Sequence, residues 1–326
     1  MSNFISLCQA AITFGTVILF GALGELITQK SGNLNLGTPG IVYLGGIGSL
    51  AGAFFYENSV AHPSAIVGVI VALICAMAAS ALGGLIYSFL TITLRANQNV
   101  TGLTLTIFAS GVANFFGGSL NKLAGGVGQI SVATTSSGFR AVTPLSNLGV
   151  PGKLFFSYGF LTYVAILLAV LAAVFFNRTR MGLNLRAVGE SPATADAAGI
   201  NVSRYKYVAT CVGAAITGLG GVFYTMNYIK GTWANDGTME SLGWLALALV
   251  IFASWKSLNV IWGSYLFGIL YWLYFYIGGL SRYSQELFKM LPYVVTIIVL
   301  VVSSMRQKKE NTGPAALGLS YFREER

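Results

Sequence analysis

Charge is what this chain has least of. Lys, Arg, Asp and Glu make up 9% of its 326 residues, against roughly a quarter in soluble domains. Only ten residues are acidic and one is histidine, His62, beside Pro63. No Asp/Glu/His chain and no mid-span acid is present, so a proton-coupled mechanism has little to work with. The three cysteines, Cys8, Cys75 and Cys211, fall singly in apolar runs, which excludes a disulfide framework and any Cys-based metal site. Gly-x-x-x-x-Gly-Lys-Ser/Thr is missing, and GVPGKL at 149–154 has the wrong spacing for it. GGIGSLAG at 45–52 has the glycines of a dinucleotide loop, but it lies in an apolar run with no strand before it. Its Gly48-xxx-Gly52 spacing suits close helix packing instead. Catalytic triads and zinc-ligand spacings are also absent. The chain is expected to be no enzyme and to carry no metal or cofactor of its own.

What it has in abundance is apolar length. Hydrophobic residues reach 55% and the mean hydropathy is +0.72. A hydrocarbon core of about 30 Å needs roughly 20 apolar residues per helix. Nine candidate spans satisfy or approach this: 4–27, 38–56, 63–94, 98–119, 157–177, 206–228, 232–255, 258–278 and 287–304. The fold class is therefore an all-α polytopic membrane protein with about nine transmembrane helices. The third span is long enough to break, with Gly83-Gly84 as the expected place. The seventh holds only a short continuous apolar run, Leu242 to Trp255, too little to cross alone. The first span lacks a basic n-region and does not read as a cleaved signal peptide.

Lys and Arg set the expected orientation. Alternating the spans places Lys30, Arg95, Arg178, Arg180, Arg186, Arg204, Lys206, Lys256, Arg306, Lys308, Lys309, Arg323 and Arg326 on one side. Lys122, Arg140, Lys153, Lys230, Arg282 and Lys289 fall on the other. The richer side is expected to be cytoplasmic, with the N-terminus outside and the C-terminus in the cytoplasm. The net charge of +9 is then membrane-orienting and implies lipid rather than nucleic acid as its counterpart. Asn99, Asn177 and Asn201 head glycosylation-type triplets on the cytoplasmic side and are chance matches.

Two polar stretches repeat a pattern. SGNLNLGTPG (31–40) follows the first span and KGTWANDGTMESLG (230–243) follows the sixth, each leading into an apolar helix. By the orientation above they lie on opposite faces, as an inverted repeat of spans one to four against six to nine produces, with broken or re-entrant segments at its connectors. Ordinary connecting loops are the alternative. The outer loop 120–156 is rich in Gly, Ser and Thr, and reads as a flexible connector or as a surface for an external partner.

Within the spans, Glu25 sits near the inner end of the first and Lys289 near the outer end of the last. Glu25 is expected to snorkel toward the cytoplasmic surface beside Lys30, with a gating role as the alternative. Asn33, Asn35, Asn97, Gln98 and Asn99 cluster near the inner face, where their amides would line a polar path or serve as caps. Tyr224, Tyr228, Trp233, Trp244, Trp272, Tyr274 and Tyr276 gather toward the outer side, as an interfacial belt does or as a stacking surface would.

One segment stands apart. Arg178–Lys206 holds five basic and two acidic residues between two apolar runs. Ser191 as cap, Pro192 at the first helical position and Gly199 as stop predict a helix of about two turns. So short a helix needs the spans or a partner to hold it.

The segment LRAVGESPATADAAGINVSRYK resembles the cytoplasmic coupling segment of binding-protein-dependent ABC transporter permeases of the branched-chain amino acid/ribose type. GELITQKSGNLNLG (24–37), RANQNVTGLTLTIFASG (95–111) and PAALGLSYFREER (314–326) are similar to its nucleoside-uptake branch, the last to a second permease subunit. The resemblance implies a permease domain over 1–309, with 178–206 as coupling loop and 310–326 as cytoplasmic tail. It implies that Arg186, Glu190, Ser191, Pro192, Ala195, Asp196 and Gly199 engage a cytoplasmic ABC ATPase that binds ATP and Mg. It further implies a second, different permease subunit, an extracytoplasmic substrate-binding lipoprotein, and a bacterial plasma membrane. Nucleoside import is the implied function. A sugar or other small polar solute is the alternative cargo, and a self-contained secondary transporter or channel the alternative class. One departure is visible: Thr38-Pro39-Gly40 follows NLNLG where the family commonly has an acidic-Gly pair.

Overall fold

The computed structural model describes residues 2–123, 126, 130–142, 149–277, 282–306 and 312–322. The described residues form helices α1 (Ser2–Lys30), α2 (Thr38–Ser59), α3 (Ala65–Ser88), α4 (Gln98–Leu123), α5 (Ala133–Phe139), α6 (Gly149–Phe155) and α7 (Phe160–Arg178). Then follow α8 (Arg180–Glu190), α9 (Pro192–Ala197), α10 (Val202–Val222), α11 (Thr238–Phe252), α12 (Ser257–Tyr276), α13 (Arg282–Lys289) and α14 (Leu291–Arg306). Lys308, Lys309, Arg323 and Arg326 of the charge count lie outside the described residues.

Seven described helices are long and apolar enough to cross a membrane, and the pair Tyr283–Lys289 and Leu291–Val302, bent by 42°, makes an eighth. The remaining expected segment is α11. Its 15 residues cover about 22 Å at 1.5 Å per residue, short of the hydrocarbon thickness. The predicted break in the third span is displaced. Gly83 and Gly84 are buried within α3, facing Leu44 of α2 and Ala214 of α10. The irregular turn comes later, as π-helix at Phe89–Thr93. Gly48 and Gly52 press α2 onto Cys75 and Ala79 of α3, the close packing their spacing predicts.

Burial separates a core from a perimeter. The most apolar windows of α1, α2 and α10 are 83%, 72% and 72% buried, whereas those of α3, α7 and α12 are 28% buried. The perimeter helices keep their Ile, Val, Leu and Phe outward, as lipid-facing helices do.

The core contacts come in reciprocal pairs. Antiparallel α1 and α10 meet at Gly24 against Gly213 and Thr217, and at Val17 against Gly220. Antiparallel α2 and α11 meet at Pro39 against Gly243 and at Gly46 against Met239. α3 lies antiparallel on α10 (Gly84 against Thr210, Ser80 against Gly218), as α12 lies on α1 (Gly268 against Ala11, Gly15 against Ser264). α2 runs parallel to α10 (Gly45 against Gly218), as α11 runs parallel to α1 (Gly21 against Ala246). Exchanging α1 with α10, α2 with α11 and α3 with α12 maps this set onto itself. That is the packing of an inverted repeat, with α7 as its connector.

The same contacts fix a depth. Where Pro39 meets Gly243, α11 still has nine residues, about 14 Å, to run. Thr38 is level with Glu25, about 7 Å before the end of α1. Both α2 and α11 therefore start inside the bundle, each behind a recessed connector. The face holding the insert 178–206 is called the insert face below.

Part of the segment 120–156 is not a surface connector. Val132 N–H donates to Gly231 O at 2.9 Å, Ser136 Oγ to Met226 O at 2.9 Å, and Thr135 N–H to Glu57 Oε1 at 2.7 Å. Phe139 is fully buried and stacks on Phe160. α5 thus plugs the bundle beside the connector 229–237.

Candidate functional site

Glu25 is 2% exposed, and the expectation that it snorkels to water is corrected. α1 is the central helix, so its last turns are enclosed by the connector 31–37 and the turn after α11. The carboxylate accepts from Gln29 Nε2 at 2.9 Å, Asn35 N–H at 3.2 Å and Thr38 Oγ1 at 2.8 Å. It lies at the start of α2, where unpaired backbone N–H groups favour an acidic oxygen. Gln29 accepts in turn from Trp255 Nε1 at 2.6 Å. Asn35 Oδ1 takes Gly37 N–H at 2.8 Å, folding the connector on itself as an Asx turn.

A second layer lies against the first. Asn33 Nδ2 donates to Thr210 Oγ1 at 3.0 Å, while Asn33 Oδ1 is buried with no donor. Gln98 Oε1 accepts Leu34 N–H at 2.7 Å. Lys206, counted above among the charges of the cytoplasmic side, is 3% exposed and shares a cavity of about 20 Å³ with Asn33, Thr91, Gln98 and Tyr321. The structure thus brings Glu25, Asn33, Asn35 and Gln98 together. Asn97 and Asn99 stand apart and exposed. Asn97 Oδ1 accepts the N–H groups of Asn99 and Val100 at 3.0 and 3.1 Å, capping α4.

Sequence reasoning missed Gln29, Thr210 and the burial of Lys206. A signal was present: Lys206, Thr210, Gly213 and Thr217 follow helical spacing down one stripe of α10, and all are buried.

The insert folds into two helices where one was predicted. α8 begins at Thr179, whose Oγ1 accepts Gly182 N–H at 3.0 Å, and buries Gly182, Leu185, Val188 and Gly189. α9 has the predicted signals. Ser191 Oγ accepts Thr194 N–H at 3.4 Å, Pro192 opens the helix, and Gly199 leaves it at φ +79°. Ile200 N–H closes the end onto Ala195 O at 3.0 Å. Ala195 is buried in a cluster with Val188 and Val202, against which Ile200, Tyr205 and Tyr321 pack. The other side shows Ala193, Thr194, Ala197 and Ala198 to solvent, a surface of small side chains. Arg186 is exposed and lines a cavity of about 530 Å³ with Lys30, Lys256 and Trp255.

The chain's end returns to this site. Ala315 N–H donates to Glu190 Oε2 at 3.3 Å, Ala316 N–H to Gly189 O at 3.0 Å and Gly318 N–H to Gly32 O at 3.0 Å. Tyr321 Oη donates to Asp196 Oδ2 at 2.9 Å.

The aromatic belt needs partial correction. Tyr224 and Trp233 are buried. Trp233 Nε1 donates to Asn114 Oδ1 at 3.2 Å. Tyr228 and Trp272 pack edge-on against Phe14 of the central helix. These rings fill the bundle's interior instead of marking a lipid boundary.

The chain matches the family model of branched-chain amino acid transport system permease components over residues 8–300. It is 30% identical to the nucleoside ABC transporter permease protein NupC of Lactococcus lactis, covering 96% of this chain and 95% of that one. It is also 30% identical to the guanosine ABC transporter permease protein NupQ of Bacillus subtilis, over 97% of this chain and 96% of that one. A putative glucose ABC transporter permease protein of Haloferax volcanii is likewise 30% identical, over 99% of both chains. No solved structure matches. With its spans, its recessed connectors and this match over most of its length, the chain belongs to the branched-chain amino acid transport system permease family, and is a multi-pass permease of the plasma membrane.

Proposed function

We propose that this chain is one permease subunit of an ATP-driven importer for nucleosides. Its insert 178–206 docks on a cytoplasmic ATPase, a second, different permease subunit completes the path, and an extracytoplasmic lipoprotein delivers cargo. The observation that carries the cargo reading is full-length similarity to two permeases named for nucleoside and guanosine transport. The docking reading is supported by α9, which rests one side on the bundle and presents small side chains on the other. ATP and Mg belong to the ATPase, which supplies the energy for alternating access. This reading places the insert face in the cytoplasm, and the gathering of Lys30, Arg186 and Lys256 around one cavity there agrees with it. Glu25, Asn33, Asn35 and Gln98 then form a closed polar plug at the cytoplasmic end, and Asn97 caps the helix beside it, with Asn99 in its first turn.

A sugar is the second reading, favoured by the glucose-named relative of equal identity. Competition decides between them. Uptake of radiolabelled uridine or adenosine by cells expressing the whole system is expected to fall with excess unlabelled nucleoside and to resist excess glucose or ribose. The reverse pattern would overturn the nucleoside assignment and leave the permease class standing.

A further inference from the structure

The carboxy-terminal segment 313–322 has no apolar periodicity and no place in the bundle, yet it runs across the site and touches both of its layers. At one end Gly313 packs on the Trp255 indole, whose Nε1 donates to Gln29 Oε1, and Gln29 in turn donates to Glu25. In the middle, Ala315 and Ala316 N–H groups hold Glu190 Oε2 and Gly189 O, at the junction of α8 and α9. Gly318 N–H then holds Gly32 O, in the connector after α1. Gln98 Nε2 donates to Leu319 O at 3.4 Å, while its Oε1 holds Leu34 N–H. At the far end Tyr321 Oη binds Asp196 in α9, and the Arg95 guanidinium lies 4.7 Å from the centre of the Phe322 ring.

With Tyr321 on Asp196 and Gly318 N–H on Gly32 O, the segment joins α9 to the connector after α1 by hydrogen bonds. α9 itself touches the bundle through Ala195 and its small apolar cluster, which can slide. Hydrogen bonds to carboxylates are directional and stronger than neutral ones. A displacement of α9 therefore pulls on Asp196 and Tyr321, and the strap passes it to Gly32 and Leu34, next to Glu25.

We propose that residues 313–322 are positioning residues that transmit movement of the coupling segment to the polar plug around Glu25. The proposal rests on the reading of 190–199 as the ATPase-docking segment. Tyr321 acts through Asp196.

The test is the ratio of substrate moved to ATP hydrolysed, in proteoliposomes holding the full transporter with its ATPase and binding lipoprotein. Tyr321→Phe removes one hydroxyl and leaves the ring in place. The ratio is expected to drop about fivefold, near the lower end of coupling free energies between linked sites, with ATPase co-purification unchanged. Asp196→Asn is expected to give a similar drop, and the double variant to be no worse than either single one, because the pair acts as one unit. A chain ending at residue 312 is expected to hydrolyse ATP with little uptake. A merely structural strap would lower uptake and hydrolysis in proportion, and that result, or an unchanged ratio in Tyr321→Phe, overturns the proposal. Failure of the wild-type chain to take up nucleoside would strike the cargo reading alone, since the ratio is then measured with the solute that is transported.

Discussion

The two recessed connectors are related by the internal repeat, yet they are built in opposite ways. On the insert face, residues 31–37 are almost wholly buried, and a carboxylate at their centre collects three hydrogen bonds. On the other face, Asn235, Asp236 and Gly237 are exposed. Asp236 there accepts Thr238 N–H at 3.0 Å and stands 3.5 Å from Tyr224 Oη, at the outer limit for a hydrogen bond. The same backbone plan thus carries a tight plug at one end and a loose, solvated turn at the other. A gate that must be driven open by an external machine fits the tight end, where the insert and the carboxy-terminal strap also lie.

Breaking the tight connector is expected to have the largest effect. Glu25→Ala strands the Asn35 N–H and the Gln29 side-chain amide in a buried site, at about 1–3 kcal/mol per group. Stability should fall by about 3 kcal/mol or more, read as a lower thermal midpoint of the purified chain in detergent. Glu25→Gln keeps two acceptor sites on Oε1 and should cost about 1 kcal/mol or less. Loss of uptake in that folded variant would assign the ionisable carboxyl group itself to gating.

Gly199→Val comes next. The side chain meets nothing within 4 Å, but φ is +79°, so the cost is backbone strain of about 1–3 kcal/mol. That strain falls on the end of α9, so uptake should drop more than thermal stability, and ATPase binding by pull-down should weaken. Asn97→Ala removes the cap of α4 and is expected to cost about 1 kcal/mol without altering cargo preference in competition assays. Asp236→Asn, in the loose connector, should change the thermal midpoint least, by about 0.5 kcal/mol or less, as exposed substitutions do. Equal destabilisation by Glu25→Ala and Asp236→Asn would erase the contrast between the two ends.

The long elements were legible in the sequence because lipid demands apolar length, and the cap, proline and glycine of α9 are local signals that survive any context. The repeat was legible from two matching polar stretches. Glu25 was misread for a physical reason: an acid near a helix end looks the same whether lipid headgroups or protein surround it, and only tertiary packing decides. The strap was illegible because 313–322 bonds mostly through backbone groups, the N–H of Ala315, Ala316 and Gly318 and the carbonyl of Leu319, which carry no residue signature, and because no spacing in the sequence ties Tyr321 to Asp196. Trp233 and Tyr224 were misplaced because an aromatic beside a polar turn suits a lipid boundary and a buried plug equally well.

ATP dependence of nucleoside uptake is the most direct test of the central claim. In proteoliposomes with the partner subunits, uptake of labelled uridine should require hydrolysable ATP and vanish when the ATPase is inactivated. Uptake that persists without a working ATPase would contradict the account.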